Sequence, residues 1–161
     1  MKKIKNSKGF TLMEMLIVVA IIAVLVAIAI PTFTTSLNKA RVATDEANIR
    51  SGYAAVMADV LTNQISTEST VEGKTDNATD MTYTLLVDGT VKREGAGSTT
   101  QTYATKGKLS NSVAANGVNI AGYTFTAWDK NQTVTYEYKG DSNTVTIKVG
   151  ETAGTKTTQD Q

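Results

Sequence analysis

Residues 10–30, FTLMEMLIVVAIIAVLVAIAI, form a run of 21 residues with a single charge, Glu14. As a helix this run would be about 32 Å long at ~1.5 Å per residue, enough to cross a bilayer core of ~30 Å. Lys2, Lys3, Lys5 and Lys8 precede it, an arrangement that keeps the N-terminus cytoplasmic and sends the remainder outward. Glu14 is the anomaly. An acid near the end of a membrane helix costs less than one at its centre, where insertion scales give ~2.5–3.5 kcal/mol for Asp. A carboxylate between Met13 and Met15 still requires company. On the residues alone two readings stay open: a hydrated group at headgroup depth, or an anion awaiting a cation from another chain.

The stretch Lys8-Gly9-Phe10-Thr11-Leu12-Met13-Glu14, followed by the apolar run, resembles the class III signal sequence of type IV pilins and the related pseudopilins. The resemblance implies that a membrane prepilin peptidase cuts between Gly9 and Phe10 and methylates the new amine of Phe10. It implies that Glu14 pairs with the N-terminal amine of a neighbouring subunit. Pro31 matches a proline common near the end of the family's membrane segment, where it would kink the helix. The likeness covers about the first 35 residues closely and is architectural beyond them. One rival is an ordinary secretory signal, because Ala27-Ile28-Ala29 reads as an A-x-A cleavage site. Against it, the run is longer than the usual apolar core of ~7–15 residues, and Glu14 interrupts it.

A retained apolar helix has a second possible solvent besides lipid, namely the same helix of sister chains. An amine on Phe10 of one chain at ~4 Å from Glu14 of the next would gain about 4 kcal/mol at an effective dielectric of ~20, before desolvation is subtracted. Glu14 is therefore expected to set the stagger between subunits.

The chain of 161 residues allows an anchor and one domain. Lys and Arg total 16 against 15 Asp and Glu, but without the four leader lysines 12 basic residues face 15 acidic ones. Such a balance gives no bulk attraction to nucleic acid. With no cysteine, the C-terminal disulfide loop of many pilins cannot form here. With no histidine either, Ser–His–Asp triads, thiol nucleophiles and the common zinc sets are excluded. Ser36-x-x-Lys39 beside the membrane and Asp141-Ser142-Asn143 lack the K-T-G that would complete a penicillin-binding set. The Asp141 and Asn143 turn needs no calcium to explain it. The sequons at Asn77 and Asn131 are weak signals in an exported bacterial chain.

Residues 1–9 read as a leader and 10–31 as the membrane or filament-core helix. Residues 32–65 continue the helix, with Ala40, Ala43, Ala47, Tyr53, Val56, Met57, Val60 and Leu61 as its apolar face and Asp45 mostly outside it. Gly52 is a soft spot there, ~1 kcal/mol poorer than Ala. Residues 66–80 are a polar loop. Strands are expected at 81–87 and 90–93 around Asp88-Gly89, around 102–105, over 118–128, and at 133–138 and 144–149 flanking a hairpin turn. Tyr123, Phe125, Trp128, Tyr136 and Tyr138 read as core and cross-strand pairs, with an exposed subset able to meet a glycan or surface. Residues 150–161 read as a frayed tail.

The expected architecture is α+β: a long N-terminal helix spine packed on an antiparallel sheet of three to five strands within a head of residues 32–161. The function this implies is a structural subunit of a type IV pilus, polymerising with copies of itself through the N-terminal helix. The alternative is a pseudopilin or minor pilin of a secretion or competence machine. No enzymatic activity and no cofactor are expected. Expected partners are other pilin subunits, the prepilin peptidase, the pilus assembly platform with its ATPase, and the membrane before assembly. The expected location is a single-pass membrane precursor that becomes an extracellular pilus.

Overall fold

The computed structural model describes residues 9–65, 80–94 and 100–157. The expected leader (apart from Gly9) and residues 66–79 of the expected loop lie outside the described residues. One helix, α1 (Leu12–Ile65), spans 54 residues and contains Pro31. Its residues belong to two compact units, one ending at Leu37 and one beginning at Asn38.

In the first unit the large apolar side chains of α1 are exposed among the described residues. Large apolar residues between Phe10 and Ile30 are 45% exposed at Val26 and 81% at Leu12. The most apolar 18-residue window has a mean hydropathy of 3.0. Pro31 has no N–H, so the carbonyl four residues earlier loses its helical donor. Hydroxyls crowd this turn: Thr32 Oγ1 donates to the Ile28 carbonyl at 3.1 Å, and Thr34 and Thr35 Oγ1 donate to the Pro31 carbonyl at 2.9 and 3.0 Å.

The second unit is the head. Five strands form one antiparallel sheet in the order β2-β1-β5-β6-β7, made of β1 (Met81–Leu85), β2 (Val91–Arg93), β5 (Val134–Lys139), β6 (Thr144–Val149) and β7 (Thr152–Ala153). Strict alternation places Val134, Tyr136 and Tyr138 of β5 inward, opposite Val149, Ile147 and Val145 of β6. This period-2 pattern fixes the register, because a one-residue slip would turn every one of those side chains to water. A second sheet runs β3-β4-β8, with β3 (Val118–Ile120), β4 (Tyr123–Phe125) and β8 (Thr155–Lys156). The fold is α+β, as the sequence implied.

Three details correct the sequence reading. Residues 118–128 are not one strand, because Ala121-Gly122 closes a two-residue hairpin between β3 and β4. Residues 150–157 are not frayed: β7 extends the large sheet and β8 the small one. The buried stripe of α1 is Val42, Asp45, Ile49, Gly52, Val56 and Val60, while Ala40, Ala43, Ala47 and Leu61 are exposed. Asp45 is fully buried because its carboxylate accepts hydrogen bonds from Tyr103 Oη (2.6 Å), the Lys106 N–H (3.0 Å) and the Gly107 N–H (2.7 Å). Asn38 holds the same segment by accepting from the Lys108 N–H and donating to the Lys108 carbonyl, both at 2.9 Å.

The five aromatic residues Tyr123, Phe125, Trp128, Tyr136 and Tyr138 are all buried. Tyr136 reaches furthest, its hydroxyl donating to the Ile49 carbonyl of α1 at 2.8 Å.

Candidate assembly site at the helix N-terminus

Leu12 is the first helical residue, and the Met15 N–H makes the opening bond to the Thr11 carbonyl at 3.3 Å. Thr11 is thus the N-cap and Glu14 the third residue of the helix. The Glu14 N–H donates to Thr11 Oγ1 at 3.2 Å. Glu14 Oε2 accepts from both the Thr11 N–H and Thr11 Oγ1, each at 2.8 Å. This is a reciprocal capping box, in which side chain and backbone at each end satisfy the other's orphaned donors. It also sets an anion at the positive end of the helix macrodipole.

The sequence reading left Glu14 either hydrated at headgroup depth or awaiting a cation from another chain, and named no partner within its own chain. The structure gives it one within its own chain, and Thr11 is the residue that reading missed. The signal was present, since a Thr-x-x-Glu ahead of an apolar run is a capping pattern. Among the described residues Glu14 bonds to Thr11 alone, and only its Oε2 is used. Phe10 is 80% exposed and Gly9 stands in open space, so both residues of the expected cleavage bond are accessible. Pro31 lies well along α1, away in sequence from this cluster.

What these features can do is limited and specific. Among the described residues, the start of the helix is internally capped, Oε1 of Glu14 carries no bond, and the large apolar side chains after it are exposed. No group of three or more acidic, His or Cys side chains able to hold a metal occurs among the described residues.

A chain whose one long helix is capped at its start, apolar and exposed over its first part, and continued into an α+β head is the class of protein that the fold and this site define. The Prokaryotic N-terminal methylation motif family matches residues 4–30, a segment containing Gly9, Phe10 and Glu14. The chain is 50% identical over 52 residues to the type IV narrow pilus major component PilA5 of Thermus thermophilus, spanning 30% of this chain and 45% of that protein. It is 31% identical over 119 residues to a fimbrial protein of Pseudomonas aeruginosa, covering 71% of this chain and 77% of that relative. No solved structure matches. The chain belongs to the type IV pilin family.

Proposed function

We propose that this chain is the structural subunit of a type IV pilus, polymerising through α1 into an extracellular filament. The observation that carries the proposal is the bare apolar surface from Phe10 to Ile30. A run this apolar and this exposed requires either lipid or copies of itself. The relatives support the same reading, since both bear the names of pilus or fimbrial proteins.

In this reading the precursor sits in the membrane with its lysine-rich N-terminus in the cytoplasm. Prepilin peptidase cleaves between Gly9 and Phe10 and the new amine of Phe10 is methylated. The mature subunit then passes from lipid into the fibre through an assembly platform driven by an ATPase. The Phe10 amine of an incoming subunit engages Glu14 of its neighbour through the unused Oε1, leaving the Thr11 bonds at Oε2 in place. Pro31 loosens the helix just beyond the packed trunk. The chain acts mechanically and performs no catalysis.

Mass spectrometry of the surface-sheared product tests the processing steps. The expected result is an N-terminus at N-methylated Phe10, together with fibres in electron micrographs decorated by an antibody to the head. A soluble product beginning near Ile30 would refute the proposal.

A further inference from the structure

The head contains a recess of about 150 Å³ between α1, the β3–β4 turn, the β5–β6 turn and β8. We propose that this recess is a binding site for one acidic monosaccharide, a sugar ring carrying a carboxylate. The inference does not depend on the fibre, because the recess is complete within the head.

Size sets the first limit. The volume equals about five waters at ~30 Å³ each and falls below the ~300–1,000 Å³ of drug-sized sites. It admits one small ring and excludes a peptide. The lining sets the second limit. Tyr53 and Tyr123 supply aromatic surface, Asn143 and Thr157 supply polar edges, and Lys156 supplies a positive charge. No carboxylate lines the recess, and among the described residues Lys156 makes no ion pair. A cation has no counter-charge there, whereas a carboxylate does. A sugar ring offers C–H faces to an aromatic wall and hydroxyls to amide and hydroxyl groups. The Tyr53 hydroxyl has no hydrogen-bond partner among the described residues, and burial, then the neighbouring Tyr123, raise its pKa, so it remains a donor.

Backbone conformation provides an independent observation. Ala121 and Gly122, which line the recess, both have positive φ (51° and 86°). A two-residue hairpin of this kind favours Asn-Gly, because the first position must be left-handed. Alanine there costs ~1–2 kcal/mol. Strain at a cavity rim points to a function that the better-folding residue would impair. Ala121 contributes no more than a methyl group to this lining, where Asn would add a carboxamide.

The test uses the full chain in detergent micelles, before any assembly, with saturation-transfer NMR and calorimetric titration of glucuronate, glucose and acetate. Glucuronate is expected to bind at least tenfold more tightly than either of the others. Lys156→Gln should weaken glucuronate about tenfold without changing the melting temperature. Ala121→Asn should raise the melting temperature and weaken binding. Absence of glucuronate binding overturns the proposal, as does equal binding of glucose or acetate. Glucuronate affinity unchanged in both variants also overturns it. Because these measurements precede polymerisation, their failure leaves the filament proposal standing.

Discussion

Gly52→Ala in the middle of α1 sets two physical effects against each other. In an exposed helix the change stabilises by about 1 kcal/mol, since glycine is the poorer helix former. Here a Cβ at position 52 would lie 2.2 Å from Tyr136 Oη and 2.8 Å from both Leu85 Cδ1 and Tyr136 Cζ. Tyr136 and Leu85 are fully buried on adjacent strands, so neither swings aside into solvent. Overpacking of this kind costs ~1–3 kcal/mol. Displacing Tyr136 also breaks its bond to the Ile49 carbonyl and strands a buried hydroxyl, for a further ~1–3 kcal/mol. The net expectation is destabilisation of about 3 kcal/mol, or roughly 10 °C in melting temperature for a domain of this size.

Thermal unfolding of the solubilised chain by circular dichroism reads this directly. A double-mutant cycle with Tyr136→Phe separates the causes. Tyr136→Phe alone should cost about 1 kcal/mol. In its background Gly52→Ala should cost less than in the native chain, by about 1–2 kcal/mol, because the shortest contact has gone. A melting temperature for Gly52→Ala at or above that of the native chain would refute the packing argument and restore the view of Gly52 as a soft spot.

Glu14→Gln keeps a capping box but removes the charge, whereas Thr11→Ala removes the cap and keeps the charge at a cost of about 1 kcal/mol of helix stability. Fibre yield measured by shearing should collapse for Glu14→Gln and persist for Thr11→Ala. The reverse result would make capping, not registry, the function of Glu14. Asp45→Ala should destabilise the head by about 3 kcal/mol or more in denaturant titration, because it strands the Gly107 and Lys106 N–H groups. Asp45→Asn should cost nearly as much, since its amide NH2 would face donors. Burial first, and then donation to Asp59 and Asp45 respectively, pushes the phenols of Tyr83 and Tyr103 up to about 12. Unfolded, both titrate near ~10, so the folded chain holds these protons longer. Stability should be intact below about pH 10 and fall as the pH rises toward 12. Phenolate absorbance and circular dichroism should therefore change together, and titration of all six tyrosines near pH 10 with the fold retained would contradict this.

The parts legible in the sequence were those with a clean period or a specific motif. β5 and β6 alternate without interruption around the Lys139 to Asn143 turn, and both strands formed within a residue of their expected ends. Asp88-Gly89 produced its hairpin, with Asp88 Oδ1 accepting from both the Thr90 N–H and hydroxyl at 3.0 and 2.6 Å. The helix was legible as a helix, and Val56 and Val60 lie on its buried face as expected, but the part of that face formed by Val42, Asp45 and Ile49 was not legible. Asp45 belongs to that face only because backbone N–H groups from residues 106 and 107, some 60 positions later, converge on it. No local pattern announces such a partner. The split of residues 118–128 was hidden for a different reason: Ala121 is a poor turn former, so Gly122 stands alone as the turn signal where the chain reverses.

The C-terminal strands were illegible because two-residue elements carry no periodicity, yet they bear on how a cysteine-free head closes. β7 pairs with β6 in the large sheet, and β8 pairs with β4 in the small one. Gly154 lies between them, its N–H donating to the Ile147 carbonyl at 3.0 Å. A Cβ at this position would meet Phe125 Cζ at 2.6 Å and Tyr123 Cβ at 2.9 Å. The chain therefore crosses from one sheet to the other directly over the aromatic core of the small sheet, and only glycine fits the crossing. A disulfide stabilises mainly by restricting the unfolded chain, and these bonds do not reproduce that effect. They supply ladder pairing and excluded water in the folded state, and they add to what already joins the two sheets: the shared apolar core and the bond from the Tyr123 hydroxyl to the Val145 carbonyl.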